Sequence, residues 1–181
     1  MSYYSVFLMC SVAMSWLPDY KQTDEKMDTC MALGTQAVIE DVPLDLAIAL
    51  AFTESRFSRT ARSSVGASGP FQVVPRYHCP NKRLEGCDLI TAGLRAIKRY
   101  RKRYKRWRDA LCHWNSGNRC YRKSRLFARI VLRRKRLLNR SLGDHHAHEE
   151  GYCQEGSSEE GSRGEGPGTG EEGNRTSAQA R

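Results

Sequence analysis

Apolar residues recur at intervals of three and four along most of the chain, with no sustained alternation of the kind a strand needs. Leu44, Ala47, Ile48, Ala51 and Phe52 trace one such face. A buried helix is therefore expected there, with Pro43 in its first turn and Asp41 just before it as a cap. Glu54, three residues beyond Ala51, extends the same face. Residues 58–78 are rich in Ser, Gly and Pro and read as a loop, with a short helix beginning near Phe71. A longer helix is expected over 88–105, carried by Leu89, Ala92, Leu94, Ala96, Ile97 and Tyr100. Another begins near Trp107 and stops at the turn signal Asn115-Ser116-Gly117-Asn118. A last helix covers roughly 124–138. The fold class is mainly α, in one domain and without internal repeats.

Composition divides the chain. Residues 1–140 hold 27 Lys/Arg against 11 Asp/Glu, a net of +16, whereas 141–181 hold 3 against 9, a net of −6; together they give the overall +10. The acidic C-terminal tail is rich in Gly, Ser and Glu and has almost no large apolar residue, so it is expected to be disordered. The folded domain then spans about 21–140. Before it, residues 6–14 form an apolar stretch too short to span a bilayer. The stretch fits a signal-peptide core with Ala13-Met14-Ser15 as its cleavage site, although no Lys or Arg precedes it. It fits equally a short hydrophobic N-terminal helix.

Two basic clusters stand out, nine Lys/Arg in 95–108 and ten in 119–140. They suit either attraction to a polyanion or the solvated faces of two helices. Tyr100, Tyr104 and Trp107 interleave with the first cluster at helical spacing and are expected in the core. Of seven cysteines, Cys79/Cys87 and Cys112/Cys120 are each eight residues apart, a loop size that a disulfide can close outside the cytoplasm. A zinc site drawing on His78, Cys79, Cys87, Cys112, His113 and Cys120 is the weaker alternative, since no CxxC spacing is present. His145, His146 and His148 in the tail form a solvated tract with at most loose metal affinity. No cofactor and no metal is expected.

Glu54 is the candidate with chemistry. A general acid for glycosidic cleavage must be protonated near neutral pH, and burial on an apolar helix face achieves that by disfavouring the carboxylate. Taken alone, a glutamate at a helix end is more often a solvated surface residue; the glycine-punctuated loop that follows shifts the balance. Most glycosidases use two carboxylates. Asp45, nine residues earlier, falls about 180° round the helix from Glu54. No Asp or Glu lies between Glu54 and Glu85, so Asp88 and Asp109 are partners only through tertiary folding. A single-carboxylate mechanism fits better, in which one residue acts as acid and then as base while a hydroxyl of the substrate attacks.

Three ordered segments carry a family resemblance: Ala51-Phe52-Thr53-Glu54-Ser55-Arg56-Phe57, then Ser63-Ser64-Val65-Gly66-Ala67-Ser68-Gly69-Pro70-Phe71-Gln72, then Trp114-Asn115-Ser116-Gly117. Across roughly 35–138 the chain resembles the soluble lytic transglycosylases (SLT domains), relatives of goose-type lysozyme with a lysozyme-like α fold. The resemblance implies cleavage of the MurNAc–GlcNAc bond of peptidoglycan with a 1,6-anhydro-MurNAc end. It makes Glu54 the catalytic acid/base, Ser63 and Gln72 glycan contacts, and Asn115 part of the groove floor. Three departures accompany it. Pro70-Phe71-Gln72 stands where the family has Leu-Met-Gln, and Trp114 stands where it has Tyr. Phe127 occupies the place of a last-helix tyrosine that hydrogen-bonds the acid. Peptidoglycan strands are the implied partner, with anionic envelope polymers beside them. No specific nucleic acid is expected, and the chain is expected to act as a monomer in the periplasm, at the cell envelope or in a phage virion. The competing readings are a goose-type hydrolase and a non-catalytic basic binding protein on the same scaffold.

Overall fold

The structure, a computed structural model, describes residues 3–152, with side chains through Ser141. The described residues form seven α-helices, joined by short 3₁₀ turns and loops, and no β-strand. They are α1 (Tyr3–Met14), α2 (Asp24–Ile39), α3 (Leu44–Ser55), α4 (Pro75–His78), α5 (Leu89–Tyr104), α6 (Trp107–Ser116) and α7 (Arg122–Tyr152). The mainly helical architecture is as the periodicity implies. Most of the tail expected to be disordered, and the His145–148 tract with it, lies outside the described side chains.

α3 is the central element. Every residue from Leu44 through Phe52 is buried, because α2, α7 and α1 all pack against it. α1 shows Val6, Met9, Cys10 and Ala13 to the core at the three-and-four spacing of one helical face. Gly34 in α2 makes room for it, since a Cβ there would lie 2.5 Å from Val6 Cγ1. The 6–14 stretch is thus a packed helix here, and Cys10 ties it to Cys30 of α2. Disulfides also join Cys79 to Cys87 and Cys112 to Cys120. Among the described residues no cluster of His, Cys, Asp or Glu could hold a metal.

Helix ends follow local chemistry with some exceptions. Asp88 caps α5 by accepting the N–H groups of Ile90 at 3.0 Å and Thr91 at 3.3 Å. α6 ends at Gly117, whose φ of +72° suits glycine. Asp41 does not cap α3; Lys98 of α5 holds it at 3.3 Å, and α3 starts from Pro43 without a side-chain cap. Phe71 begins no helix but lies in a turn, and the short helix starts at Pro75. α7 continues well past 138. Trp107 opens α6 rather than sharing a face with Tyr100 and Tyr104.

α5 also sets the position of the loop that follows α3. Gly93 faces Phe71, and a Cβ at 93 would come within 2.7 Å of Phe71 Cβ. Phe71 is fully buried in that contact. The loop therefore rests directly on the α5 backbone, one residue from Gln72.

Candidate active site

Glu54 occupies the last turn of α3, where the apolar face meets the loop. The helix is stopped by two successive left-handed residues, Arg56 (φ 54°) and Phe57 (φ 65°). A bulky aromatic is costly in that conformation. Full burial of Phe57, in edge contact with Phe52 at 5.6 Å, holds it there. The reversal leaves Arg56 exposed to solvent.

Ser55 ties the helix end to the loop, its Oγ donating to the Pro70 carbonyl at 2.9 Å. Inside the loop, Ser63 Oγ accepts the N–H of Ala67 at 3.0 Å, closing a tight turn. Gln72 has a left-handed backbone (φ 49°), and its side-chain amide donates to the carbonyls of Ala61 at 3.2 Å and Gly69 at 3.0 Å. Gly69 (φ 75°) supplies the remaining bend against Leu89. Ser63 and Gln72 therefore brace the loop with their polar groups. Asn115 is exposed near the end of α6.

The carboxyl of Glu54 is half-buried and receives one hydrogen bond, from Trp114 Nε1 at 2.6 Å to its Oε1. Burial pushes its pKa up from 4.5 to about 7, and the indole N–H offsets part of that by favouring the charged form. No other carboxylate among the described residues contributes to the shift. Asp45 is engaged with Lys135 of α7, Asp88 caps α5, and Asp109 pairs with its neighbour Arg108 at the surface. The second-carboxylate candidates are thus all committed elsewhere.

Trp114 is itself held by aromatic contacts. His78 stacks on it with centroids 6.0 Å apart, and Tyr100 meets it edge-on at 6.0 Å. Tyr100 stacks with Tyr104, which lies flat on His113 at 3.9 Å. His78 has its pKa lowered by burial and by the Arg99 guanidinium, whose Nη2 lies 3.4 Å from its Nδ1. Arg134 of α7 donates to Thr53 Oγ1 at 2.8 Å and lies over the Phe52 ring. Phe127 packs half-buried against the core. The hydrogen bond to Glu54 comes from Trp114, a contact that helical spacing alone did not reveal. The available clue was a tryptophan directly before Asn115 where the resembled motif has tyrosine.

A half-buried acid with its pKa near neutrality, no companion carboxylate among the described residues and a braced loop after it is the arrangement that a single general acid requires, here on a helical domain. The family follows from comparison with known proteins: the transglycosylase SLT domain matches residues 32–129, more than half of the chain, and the protein belongs to that family. That membership gives it a lytic-transglycosylase type of function directed at peptidoglycan. No curated protein and no solved structure matches the chain.

Proposed function

We propose that the protein is a lytic transglycosylase that cleaves the β-1,4 bond between MurNAc and GlcNAc, with Glu54 as the only protein acid/base. The observation that carries this reading is the Glu54 carboxyl: pKa about 7, a neutral donor on one oxygen, and no second carboxylate beside it.

Protonated Glu54 gives its proton to the bridging O4 as the C1–O4 bond breaks, releasing GlcNAc as the leaving group. The carboxylate so formed takes the proton from the C6 hydroxyl of MurNAc while O6 bonds to C1. The acid is regenerated, the 1,6-anhydro ring closes, and no water is consumed. A pKa near ambient pH suits a group that must do both jobs. With Trp114 donating to Oε1, Oε2 is the oxygen left to carry the proton.

Asn115, exposed beside Trp114, contacts the glycan in this reading. Ser63 and Gln72 act by holding the loop. Three disulfides fit an oxidising compartment, so we place the activity outside the cytoplasm, in the periplasm and envelope or on a phage particle.

Mass spectrometry of muropeptides released from purified peptidoglycan tests the mechanism. Anhydro-MurNAc ends, one water lighter than reducing ends, are expected. Reducing ends would replace the transglycosylase reading with a hydrolase. No release by folded protein would leave a non-catalytic wall binder.

A further inference from the structure

The opposite end of α3 has a chemistry that glycan cleavage does not use. Leu44 lies ten residues from Glu54, about 15 Å along the helix axis. There Val42 and Leu44 form the floor of an open groove of about 1000 Å³, with Val38 and Trp107 along its sides. Its rim carries cations from the last turns of α5. Two cations higher on α5 are already matched: Arg95 meets Glu40 at 2.9 Å, and Lys98 meets Asp41 at 3.3 Å. Lys102 and Lys105 form no ion pair among the described residues. Arg101 lies over the Trp107 ring, 5.4 Å from its centroid. Beside this rim, at the end of α2, Val38 is 43% and Ile39 69% exposed.

These features do not suit the same ligand equally. A soluble polyanion would engage the lysines and gain nothing from exposed Val38 and Ile39. The acidic residues of 142–181 carry the right charge but offer almost no apolar surface to the floor. An anionic lipid surface satisfies both halves. Phosphates meet the free lysines, aliphatic side chains enter the headgroup–acyl boundary, and a half-buried tryptophan sits at that depth.

We propose that this groove docks the protein on an anionic phospholipid surface, with Lys102 and Lys105 at the phosphates and Val38, Ile39 and Trp107 in the boundary layer. Docked this way, α3 projects Glu54 away from the bilayer, toward whatever polymer lies beyond it. The docking does not depend on the reaction assigned to Glu54, and its test needs no substrate.

The test is co-sedimentation of the full chain with vesicles of phosphatidylglycerol and phosphatidylcholine in equal parts, against phosphatidylcholine alone. Heparin serves as a soluble polyanion of comparable charge. The phosphatidylglycerol vesicles should bind the protein and the neutral ones should not. Lys102→Glu with Lys105→Glu should weaken that binding at least tenfold, at about one order of magnitude or less per reversed charge. Ile39→Ser should weaken vesicle binding about fivefold while leaving heparin binding unchanged. Arg129→Glu with Arg133→Glu on exposed α7 should have the smaller effect. All these positions are exposed, and circular dichroism checks that each variant is folded. Equal binding to both vesicle types overturns the proposal. So does equal loss from the α7 reversals, which would mean diffuse charge. Indifference of vesicle binding to Ile39→Ser would assign the groove to a soluble polyanion or to the chain's own acidic segment.

Discussion

Helix α3 carries two carboxylates, Asp45 in its first turn and Glu54 in its last, and the surrounding chain answers them differently. Asp45 is buried and meets the ammonium of Lys135 from α7, while its other oxygen accepts the N–H of Leu46 at 2.7 Å. Glu54, nine residues and about 13 Å further along, meets one neutral indole N–H and, among the described residues, no cation. A carboxylate given a full counter-charge becomes a tie between helices. One given only a neutral donor keeps a proton it can exchange, because burial then acts almost unopposed. Sequence neighbours did not decide this. Asp45 gained its partner from a residue ninety positions away, and Glu54 was left without one.

The largest effect is expected from Glu54→Gln, which keeps the shape and removes the exchangeable proton. Muropeptide release should fall by about 10²–10⁴-fold, with the circular dichroism spectrum unchanged. Near-normal release would mean that the two carboxylates do not differ in function.

Next in size is Asp45→Ala. It strands Lys135, and removing one partner of a buried pair costs about 3–5 kcal/mol. Because Lys135 keeps 23% of its side chain exposed, the low end of that range, about 3 kcal/mol, is expected in urea unfolding. Activity per folded molecule should be preserved. Asp45→Leu combined with Lys135→Met should recover most of the stability, which a mere packing role for Asp45 would not predict.

Trp114→Phe acts on Glu54 through its one neutral donor. It keeps the ring and removes the N–H that favours the charged form of Glu54. The pKa of Glu54 should therefore rise above its present value of about 7, and the alkaline limb of the kcat profile should move to higher pH. A loss of about tenfold in kcat is expected, in line with one hydrogen bond to a charged group. A lower rate with an unmoved limb would reduce Trp114 to packing.

Much of this was legible in the sequence where the cause is local. The face Leu44, Ala47, Ile48, Ala51 and Phe52 gave α3 and placed Glu54 beside its apolar face, and the Asp88 and Gly117 ends needed only neighbouring residues. What escaped was set by contacts between distant segments. Asp41 reads as a cap until Lys98, 57 residues later, takes its carboxylate. The Trp114–Glu54 hydrogen bond spans 60 positions, and helical periodicity contains no information about which helices face each other. For α7, Leu138 is the last buried position among the described side chains, whereas helical hydrogen bonding does not require burial and carries on to Tyr152. The cysteine spacings allowed disulfides or zinc; only the fold pairs Cys79 with Cys87 and Cys112 with Cys120.

The contact between Gly93 and Phe71 bears on how this protein can drift. Position 93 touches no candidate substrate contact and performs no chemistry. Yet any side chain there drives into Phe71 Cβ, which cannot retreat without dragging Gln72 and the loop. In a library of all single substitutions, Gly93 and Glu54 would both be intolerant, one for want of space and the other for want of a proton. Survival alone would not tell the two apart. The soluble yield of each variant would, since crowding at 93 depletes folded protein and replacement at 54 does not.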